Sequence, residues 1–430
     1  MYRRNIARIV LEALADTPVV VLNGPRQSGK STLARQLLAS VPGAVYATLD
    51  DPAELALAQN DPLGFIARFG DHPGVIDEIQ RAPELSLPIK LSVDRDRRPG
   101  RFIVTGSADV LALPRLGDSL AGRVEYHTLW PLSQGELSGV VEGFIPAVFG
   151  DDTFPKLPSV RPRSATIAEA ATGGFPAARE RKPGDRRDSW FEGFEASVLS
   201  RDVRDLSNIE SQTALPRLLR LLAARTSSLV NLADVSRTLD VPYATLRRYF
   251  ALLELVFLVR PVPPWWDHSS GPLLKSPRLA VCDSGLLAYL LRLDPGRTAF
   301  MPELAGQLIE TFVTAELRKQ CGWSAERVQM FFFRTRGGAE VDLVLEDRAG
   351  RIVGVEVKAG STPQAKDFRG LRALGAAAGD RFVRGVVLHL GEQTLPFGDR
   401  LWAMPVDALW QLGATPQPTS NEPPTLLSRL

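Results

Sequence analysis

The chain has 430 residues, which is more than one ordinary domain contains, so we expect two to four domains. Hydrophobic residues make up 44% and charged residues 23%, as in soluble globular proteins, and a net charge of +2 excludes a chain that is basic throughout. No apolar run approaches the roughly 20 residues that cross a bilayer. Two cysteines, Cys282 and Cys321, exclude a disulfide framework. We expect a cytoplasmic protein without a membrane segment.

The first predicted element is an amphipathic helix, and a buried parallel strand, V-V-V-L-N at 19–23, follows it. Residues 24–31 then match the phosphate-loop pattern G-x-x-x-x-G-K-[ST], and leucines with helical spacing come next. In this strand–loop–helix context, backbone N–H groups and the helix N-terminus bind phosphate oxygens. We predict that ATP is bound by Gly24, Pro25, Arg26, Gln27, Ser28, Gly29, Lys30, Ser31 and Thr32.

The catalytic groups of this site are predicted from the loop and from a second strand, 74–78, which ends in two acids. Lys30 would contact the β- and γ-phosphates, and Ser31 would ligate Mg²⁺. Asp77 would hold the same Mg²⁺ ion through water, and Glu78 would polarise the attacking water as general base. ATP and Mg²⁺ are therefore the predicted substrate and cofactor.

Two further groups, each with a second choice, are candidates for sensing or stabilising the γ-phosphate. Ser107 follows the third strand, 101–104, and is preferred to Thr105, although these hydroxyls could instead cap the next helix. Arg123, or behind it Arg115, could reach the γ-phosphate of a neighbouring subunit in an oligomer, or form only a surface salt bridge.

These segments together resemble a prokaryotic AAA-type ATPase family. The matching stretches are G-P-R-Q-S-G-K-S-T, V-I-D-E-I-Q-R-A-P-E-L, I-V-T-G-S-A, S-L-A-G-R and L-W-P-L-S. In that family, a P-loop core precedes a C-terminal domain of unknown function related to PD-(D/E)xK nucleases. The resemblance implies an ATPase with a glutamate beside the metal aspartate. It also implies subunits that assemble around the nucleotide, a hexameric ring being one form.

The middle of the chain is predicted to be a connecting region, 136–189, followed by a helical and winged helix-turn-helix domain, 190–270. Apolar spacing over 231–254 gives two helices around the turn Asp240-Val241-Pro242, and residues 256–262 would begin a wing strand. The second helix of such a motif enters the DNA major groove. We predict DNA contacts from Thr245, Arg247, Arg248 and, near the wing, Lys275 with Arg278; packing against protein is the alternative.

The last third, 271–412, carries a second constellation. Two strands, 339–346 and 352–360, form a hairpin in which Glu356 and Lys358 share one face and Asp342 opposes them. With Glu310 from a helix, these groups resemble a PD-(D/E)xK nuclease site with Val341 in place of proline. Glu310, Asp342 and Glu356 would be ligands of a second metal, and Lys358 would orient the water. The alternative is an ordinary alternating strand with solvated charges.

The predicted fold is therefore a multidomain α/β chain: a P-loop ATPase domain at 1–135, the connecting region, the winged helix-turn-helix, the nuclease-like domain and a disordered proline-rich tail at 413–430. The favoured function is a Mg²⁺-dependent ATPase that acts on DNA, such as branched or junction DNA, as a homo-oligomer. An ATP-dependent nuclease and a nucleotide-switched protein-binding ATPase are the alternatives.

Overall fold

The computed structural model of the chain describes residues 2–39, 41–109, 120–150, 153–155, 157, 161–203, 214–266, 276–298 and 300–418. Two of the sequence candidates, Arg115 and Lys275, lie outside these residues. In the described ranges, no helix combines the length and apolarity that a bilayer crossing needs.

The N-terminal part is built on a five-stranded parallel sheet with the strand order β2-β3-β4-β1-β5. Its strands are β1 Val19–Asn23, β2 Val45–Thr48, β3 Gly74–Asp77, β4 Phe102–Gly106 and β5 Val124–Thr128. The surrounding helices are α1 Ala7–Leu14, α2 Lys30–Leu38, α3 Pro52–Asn60, α4 Pro62–Ala67 and α5 Ser86–Arg95. All five residues of β1 are buried, since helices cover both faces of a parallel sheet.

Because the strands are parallel, their carboxyl ends meet at one edge of the sheet. Asn23 at the end of β1 lies opposite Gly106 of β4, and Thr48 of β2 lies opposite Asp77 of β3. The loop that follows β1 therefore shares this edge with the acids that end β3.

The connecting region contains more regular structure than its prolines indicate. Its elements are α6 Gln134–Ser138, β6 Val140–Val141, α7 Phe144–Phe149, α8 Arg163–Thr172 and α9 Pro176–Arg179. The helix α6 begins with a capping box, in which the Ser133 hydroxyl accepts from Glu136 N and the Glu136 carboxylate accepts from Ser133 N.

The central part is mainly helical. It consists of α10 Asp185–Ser197, a π-helical turn Val198–Asp202, α11 Ala214–Ala224, α12 Leu232–Leu239 and α13 Tyr243–Leu255, then β7 Val259–Val262, β8 Arg278–Val281, α14 Ser284–Leu290 and α15 Pro295–Thr298. Asp240 ends α12 in the left-handed region, with φ of 54°, so that α13 starts in a new direction. Since β7 and β8 pair antiparallel, the predicted boundary at 270 falls inside one structural unit.

The C-terminal part is a mixed six-stranded sheet with the order β13-β14-β12-β11-β10-β9. Its strands are β9 Val328–Arg334, β10 Glu340–Asp347, β11 Ile352–Lys358, β12 Phe382–His389, β13 Leu395–Pro396 and β14 Leu401–Pro405; its helices are α16 Pro302–Gln320, α17 Arg369–Ala378 and α18 Ala408–Gln411. Val355 and Val357 join the apolar core that includes Phe312 of α16.

The proline-rich tail begins later than its composition suggests. A last short strand, β15 Thr415–Pro416, pairs antiparallel with β6. The Gln417 amide donates to Asn5 Oδ1 at 2.6 Å. Residues 415–417 are therefore held by backbone pairing with β6 of the connecting region and by the side-chain contact with Asn5, which corrects the prediction of a disordered tail starting at 413.

Candidate functional site

The loop between β1 and α2 has the backbone that its glycines permit. Gly24 and Gly29 have φ of 140° and 100°, in the region that side chains disfavour. A Cβ on Gly24 would also lie 2.3 Å from the Leu129 carbonyl oxygen. The loop curls back onto the sheet edge, and the positive end of α2 faces the space that it encloses.

Lys30 is buried, and its ammonium donates to two loop carbonyls, Gly24 O at 3.0 Å and Pro25 O at 2.9 Å. Desolvation lowers the pKa of Lys30, while the charges of Glu78 and Asp77 oppose that shift. A phosphate oxygen is a stronger partner for an ammonium than neutral carbonyls are. The side chain is therefore held where an anion in the loop could bind it.

Asp77 is buried at the end of β3 and is surrounded by hydroxyl donors. It accepts from Ser31 Oγ at 2.8 Å, Tyr46 Oη at 2.7 Å and Thr48 Oγ1 at 3.3 Å. Burial, with help from Asp77, raises the pKa of Tyr46 to about 12. The Ser31 hydroxyl and the Asp77 carboxylate are hard oxygen donors that fit Mg²⁺, which takes few protein ligands when phosphates supply the others.

Glu78 is held in a left-handed conformation, with φ of 62°, which turns its side chain away from the strand direction. Its carboxylate accepts from the Gln80 amide, and the same amide donates to Ser107 Oγ at 2.9 Å. The Glu78 N–H donates to Thr105 Oγ1 at 3.2 Å. Both hydroxyl candidates, Thr105 on β4 and Ser107 directly after it, are thus connected to the predicted base.

An open cleft of about 460 Å³ lies over the loop. Its walls include Lys30, Ser31, Glu78 and, from the connecting region, Pro176 and Ala177. This cleft is within the size range of small-ligand sites. It therefore offers room for a nucleotide next to the predicted phosphate and metal groups.

Arg26, inside the loop, is bound by the central part of the chain. Its guanidinium lies 2.6 Å from Asp202 in the π-helical turn. Burial raises the pKa of Asp202 to about 6, although Arg26 opposes that shift. The predicted nucleotide residue Arg26 is thus already paired within the chain.

Arg123 lies at the opposite edge of the sheet from the loop, since it precedes β5, whose first residue pairs with Val19. Its guanidinium binds Asp94 with two contacts, at 2.6 and 3.0 Å. It does not approach the nucleotide cleft of its own chain, so its predicted role depends on a neighbouring subunit and stays a prediction.

Three of the predicted DNA residues, Thr245, Arg247 and Arg248, lie on α13. Arg247 and Arg248 are exposed and Thr245 is half-buried, while Leu246 and Tyr249 point into the core. The two arginines are therefore on the free face of the helix.

The four predicted nuclease groups do come together, but a cation of the chain lies among them. Arg278, from β8, donates to Asp342 Oδ1 at 3.0 Å and to Glu310 Oε1 at 3.2 Å. Glu356 pairs with Lys358, and its other oxygen is buried with no hydrogen-bond partner among the residues that the structure describes. Desolvation and the Asp342 charge raise the pKa values of both Glu310 and Glu356.

This arrangement does not support the predicted second metal site. Among the described residues, no group of three or more histidine, cysteine, aspartate or glutamate side chains could hold a metal ion. The guanidinium of Arg278 instead provides the positive charge between two of the three carboxylates. From its sequence position Arg278 is expected near the wing, and no sequence pattern connects it with this pocket.

Sequence reasoning missed other contributors to the nucleotide site, namely Arg4, Tyr46, Gln80 and Asp202. Arg4, Tyr46 and Asp202 could not be predicted, because they come from separate elements and no sequence spacing connects them with the loop. Gln80 could have been found from its position, since it lies two residues beyond the predicted base Glu78 in the stretch V-I-D-E-I-Q.

The parallel sheet with this strand order, the phosphate loop and the paired acids are features of an AAA-type P-loop domain. In agreement, residues 16–138 match the family model of an AAA domain. Residues 166–297 match a domain of unknown function, DUF8612, and residues 305–409 match another, DUF4143. These comparisons do not show a relation of the C-terminal part to PD-(D/E)xK nucleases.

Two curated relatives match almost the whole chain. They are the uncharacterized proteins Rv2008c of Mycobacterium tuberculosis and Mb2031c of Mycobacterium bovis, each 29% identical over 415 residues, covering 96% of this chain and 85% of the relative. A crystal structure of a STAND ATPase from Pyrococcus horikoshii, PH0952, with a tetratricopeptide repeat sensor, is 14% identical. That match covers 74% of this chain and 45% of the other, with a TM-score of 0.27, too low to establish a shared fold.

Proposed function

We propose that the chain is a Mg²⁺-dependent ATPase whose N-terminal domain hydrolyses ATP in order to act on DNA through its central domain. One observation carries the catalytic part. The Ser31 hydroxyl lies 2.8 Å from the buried Asp77 carboxylate, directly beneath a loop that presents Lys30 to an open cleft. Hydroxyl, carboxylate and ammonium are the three groups that a triphosphate and its magnesium require together.

Each residue of the site would have a separate role in ATP hydrolysis. Magnesium, held by Ser31 and Asp77, would supply positive charge to the phosphate oxygens. Lys30 would leave its two loop carbonyls and bind the phosphates. Glu78 would accept a hydrogen bond from the attacking water as general base. The Gln80 amide, which donates to both Glu78 and Ser107, would fix the positions of these two side chains. Pro176 and Ala177 would line the outer part of the cleft.

Three features support DNA as the target. The helices α12 and α13 with the strands β7 and β8 have the order of a winged helix-turn-helix, and the exposed arginines Arg247 and Arg248 lie on its second helix. Asp109, two residues after Ser107, donates its N–H to Leu255 O at the end of α13, at 2.8 Å. Its carboxylate also pairs with Arg260 of β7 at 3.1 Å. A shift at Ser107 would therefore reach both elements.

The test is ATP turnover with and without duplex, single-stranded and branched DNA at low salt. We expect DNA to stimulate turnover and Lys30→Ala to abolish it. Wild-type turnover in Lys30→Ala would rule out the proposed site. Turnover that depends on Lys30 but ignores every DNA form, with no mobility shift, would retain the ATPase and reject the DNA role.

We also propose that the working form is a homo-oligomer, such as a hexameric ring, in which Arg123 leaves Asp94 to contact the nucleotide of the next subunit. This proposal rests on the position of Arg123 away from its own cleft. If Arg123→Ala mixed with a Glu78→Gln chain restores no activity, each subunit depends only on its own residues and the proposal fails.

A further inference from the structure

Arg4 precedes the first helix and lies outside the residues that match the AAA domain, yet its guanidinium is one of the most connected groups near the cleft. Its side chain is only 6% exposed. It donates to Ser28 O at 2.7 Å, to Trp130 O at 2.5 Å and to Glu136 Oε1 at 3.0 Å. All three guanidinium nitrogens are therefore in use.

The contact with Ser28 fixes the direction of a peptide group in the phosphate loop. A trans peptide is planar, so that its C=O and N–H point in opposite directions. The described residues contain no cis peptide. Since the Ser28 carbonyl is held toward Arg4, the N–H of Gly29 is directed away from Arg4. Within the described residues, no backbone carbonyl accepts from this N–H.

Glu136, one partner of Arg4, is itself held by further hydrogen bonds. The Glu136 carboxylate is fully buried and also accepts from Asn5 N at 2.8 Å and from Ser133 N at 3.0 Å. Ser133 and Glu136 form the capping box of α6, and Trp130 follows β5. Arg4 thus connects the phosphate loop to the segment after the last strand of the sheet. A lysine has one ammonium and cannot reproduce this planar set of donors.

We propose that Arg4 is a positioning residue of the phosphate loop, which holds the Ser28–Gly29 peptide so that the Gly29 N–H is preorganised for an oxygen of the β-phosphate. This inference rests on the proposed nucleotide binding. Backbone N–H groups fixed in advance bind an anion more tightly, because no reorganisation is needed on binding. Arg4 acts through the loop and contributes no group to the reaction.

The experiment compares Arg4→Ala, Arg4→Lys and Arg8→Ala with the wild type. Arg8 is a matched control, since it lies on the same N-terminal segment in an exposed pair with Glu12. The affinities of Mg²⁺-ADP and of AMP are measured by calorimetry, because AMP lacks the β-phosphate. Circular dichroism and thermal unfolding report whether each variant is folded.

We expect the ADP dissociation constant to rise about tenfold in Arg4→Ala, with AMP affinity nearly unchanged, so that the preference for ADP over AMP collapses. Arg8→Ala should behave as wild type. Arg4→Lys keeps a cation beside Glu136, so it should stay folded while losing most of the preference. The Arg4→Lys variant therefore tests the inference even if Arg4→Ala does not fold.

Two outcomes would overturn the inference. One is an unchanged preference for ADP in Arg4→Lys and Arg4→Ala. The other is an equal loss of AMP and ADP affinity, which would indicate a general structural role. A wild-type protein that binds neither nucleotide would instead reject the proposed function.

Discussion

Arg26 of the phosphate loop and Asp202 of the π-helical turn form an ion pair, with Nη1 and Oδ1 2.6 Å apart. The two residues are 176 positions apart in the chain. The nucleotide cleft is therefore in direct contact with the central domain. A negative charge at this place also opposes the binding of phosphates, because Asp202 is close enough to affect Lys30.

We predict that Asp202→Asn binds nucleotide more tightly than the wild type at pH 8. The substitution preserves the size of the side chain, removes a charge that repels phosphate and frees Arg26. We expect an affinity gain of about fivefold, measured by calorimetry with Mg²⁺-ADP. Glu12→Gln, in an exposed ion pair, is the control.

The nucleotide affinity of the wild type should depend on pH through Asp202. Burial raises the pKa of Asp202 to about 6, so that this carboxyl is ionised above that pH and neutral below it. The wild type should therefore approach the affinity of Asp202→Asn as the pH falls from 8 to 5.5. The protonation of ADP itself affects both proteins equally. An affinity ratio that stays constant over this range would show that Asp202 does not repel the nucleotide.

Glu78→Gln should separate binding from hydrolysis. The amide keeps the shape of the side chain but cannot act as a base, so we expect turnover to fall by about 10² to 10⁴-fold. The ATP dissociation constant should change little, because Lys30 and Asp77 remain in place. Turnover is measured by phosphate release and binding by calorimetry. A variant that hydrolyses ATP at the wild-type rate would remove Glu78 from the mechanism.

Replacing Arg247 and Arg248 together with alanine should weaken DNA binding without affecting ATP binding. Both side chains are exposed, so stability should change by less than about 0.5 kcal/mol. If both contact phosphates, the slope of log affinity against log salt falls by about two in magnitude. Fluorescence anisotropy over a range of salt concentrations measures it. A slope equal to that of the wild type would show that α13 does not contact DNA.

Arg278→Ala should destabilise the C-terminal domain. It leaves Asp342 and Glu310 without their largely buried cation, at a cost of about 3 kcal/mol in the free energy of unfolding. Arg334→Ala, which removes a half-exposed contact to Glu340, should cost less than about 1 kcal/mol. Chemical unfolding compares the two. Similar values for both would mean that Arg278 is not an essential counter-charge.

A DNA cleavage assay distinguishes a structural role of the pocket around Arg278 from nuclease activity. Because Arg278 occupies the space between the carboxylates, wild type and Asp342→Asn should leave DNA equally intact in Mg²⁺ or Mn²⁺. Cleavage by the wild type that disappears in both Asp342→Asn and Lys358→Ala would establish the nuclease instead.

Glu142 provides a stability test with a defined sign. It is buried at the junction with Asn5, and desolvation raises its pKa to about 7 from an ordinary value of 4.5. The folded protein therefore holds this proton more tightly than the unfolded chain, and stability from this group is lost as the pH rises through 7. Between pH 5 and 8, the wild type should lose about 2.5 kcal/mol that Glu142→Gln does not lose. Identical pH profiles would contradict this assignment.

The N-terminal site could be predicted because its signals are local. Gly24 to Ser31 are contiguous, and Asp77 and Glu78 end an apolar strand, so strand–loop–helix context and parallel pairing fix their meeting point. The phosphate loop, the strand that carries the acids and the strand that ends near Ser107 all occur where the sequence predicts them.

The remaining features depend on tertiary packing that no spacing encodes. Asp202 meets Arg26 only because the central helices pack against the nucleotide domain. In the sequence, Arg278 has no feature that separates it from other basic residues near the predicted wing. In the structure, β8 pairs antiparallel with β7, and Arg278 on β8 contacts Asp342. An alternating strand with acidic residues has the same pattern whether it binds a metal ion or a guanidinium.

The contact between Gln417 and Asn5 has a consequence for how the protein is made. Asn5 adjoins Arg4, so the support beneath the phosphate loop includes a residue that leaves the ribosome more than 400 positions after it. Domains often fold as soon as they emerge, N-terminal ones first. Here the N-terminal domain would acquire this contact only after residue 417 has emerged from the ribosome, and nascent chains stalled earlier would have a less firmly held phosphate loop.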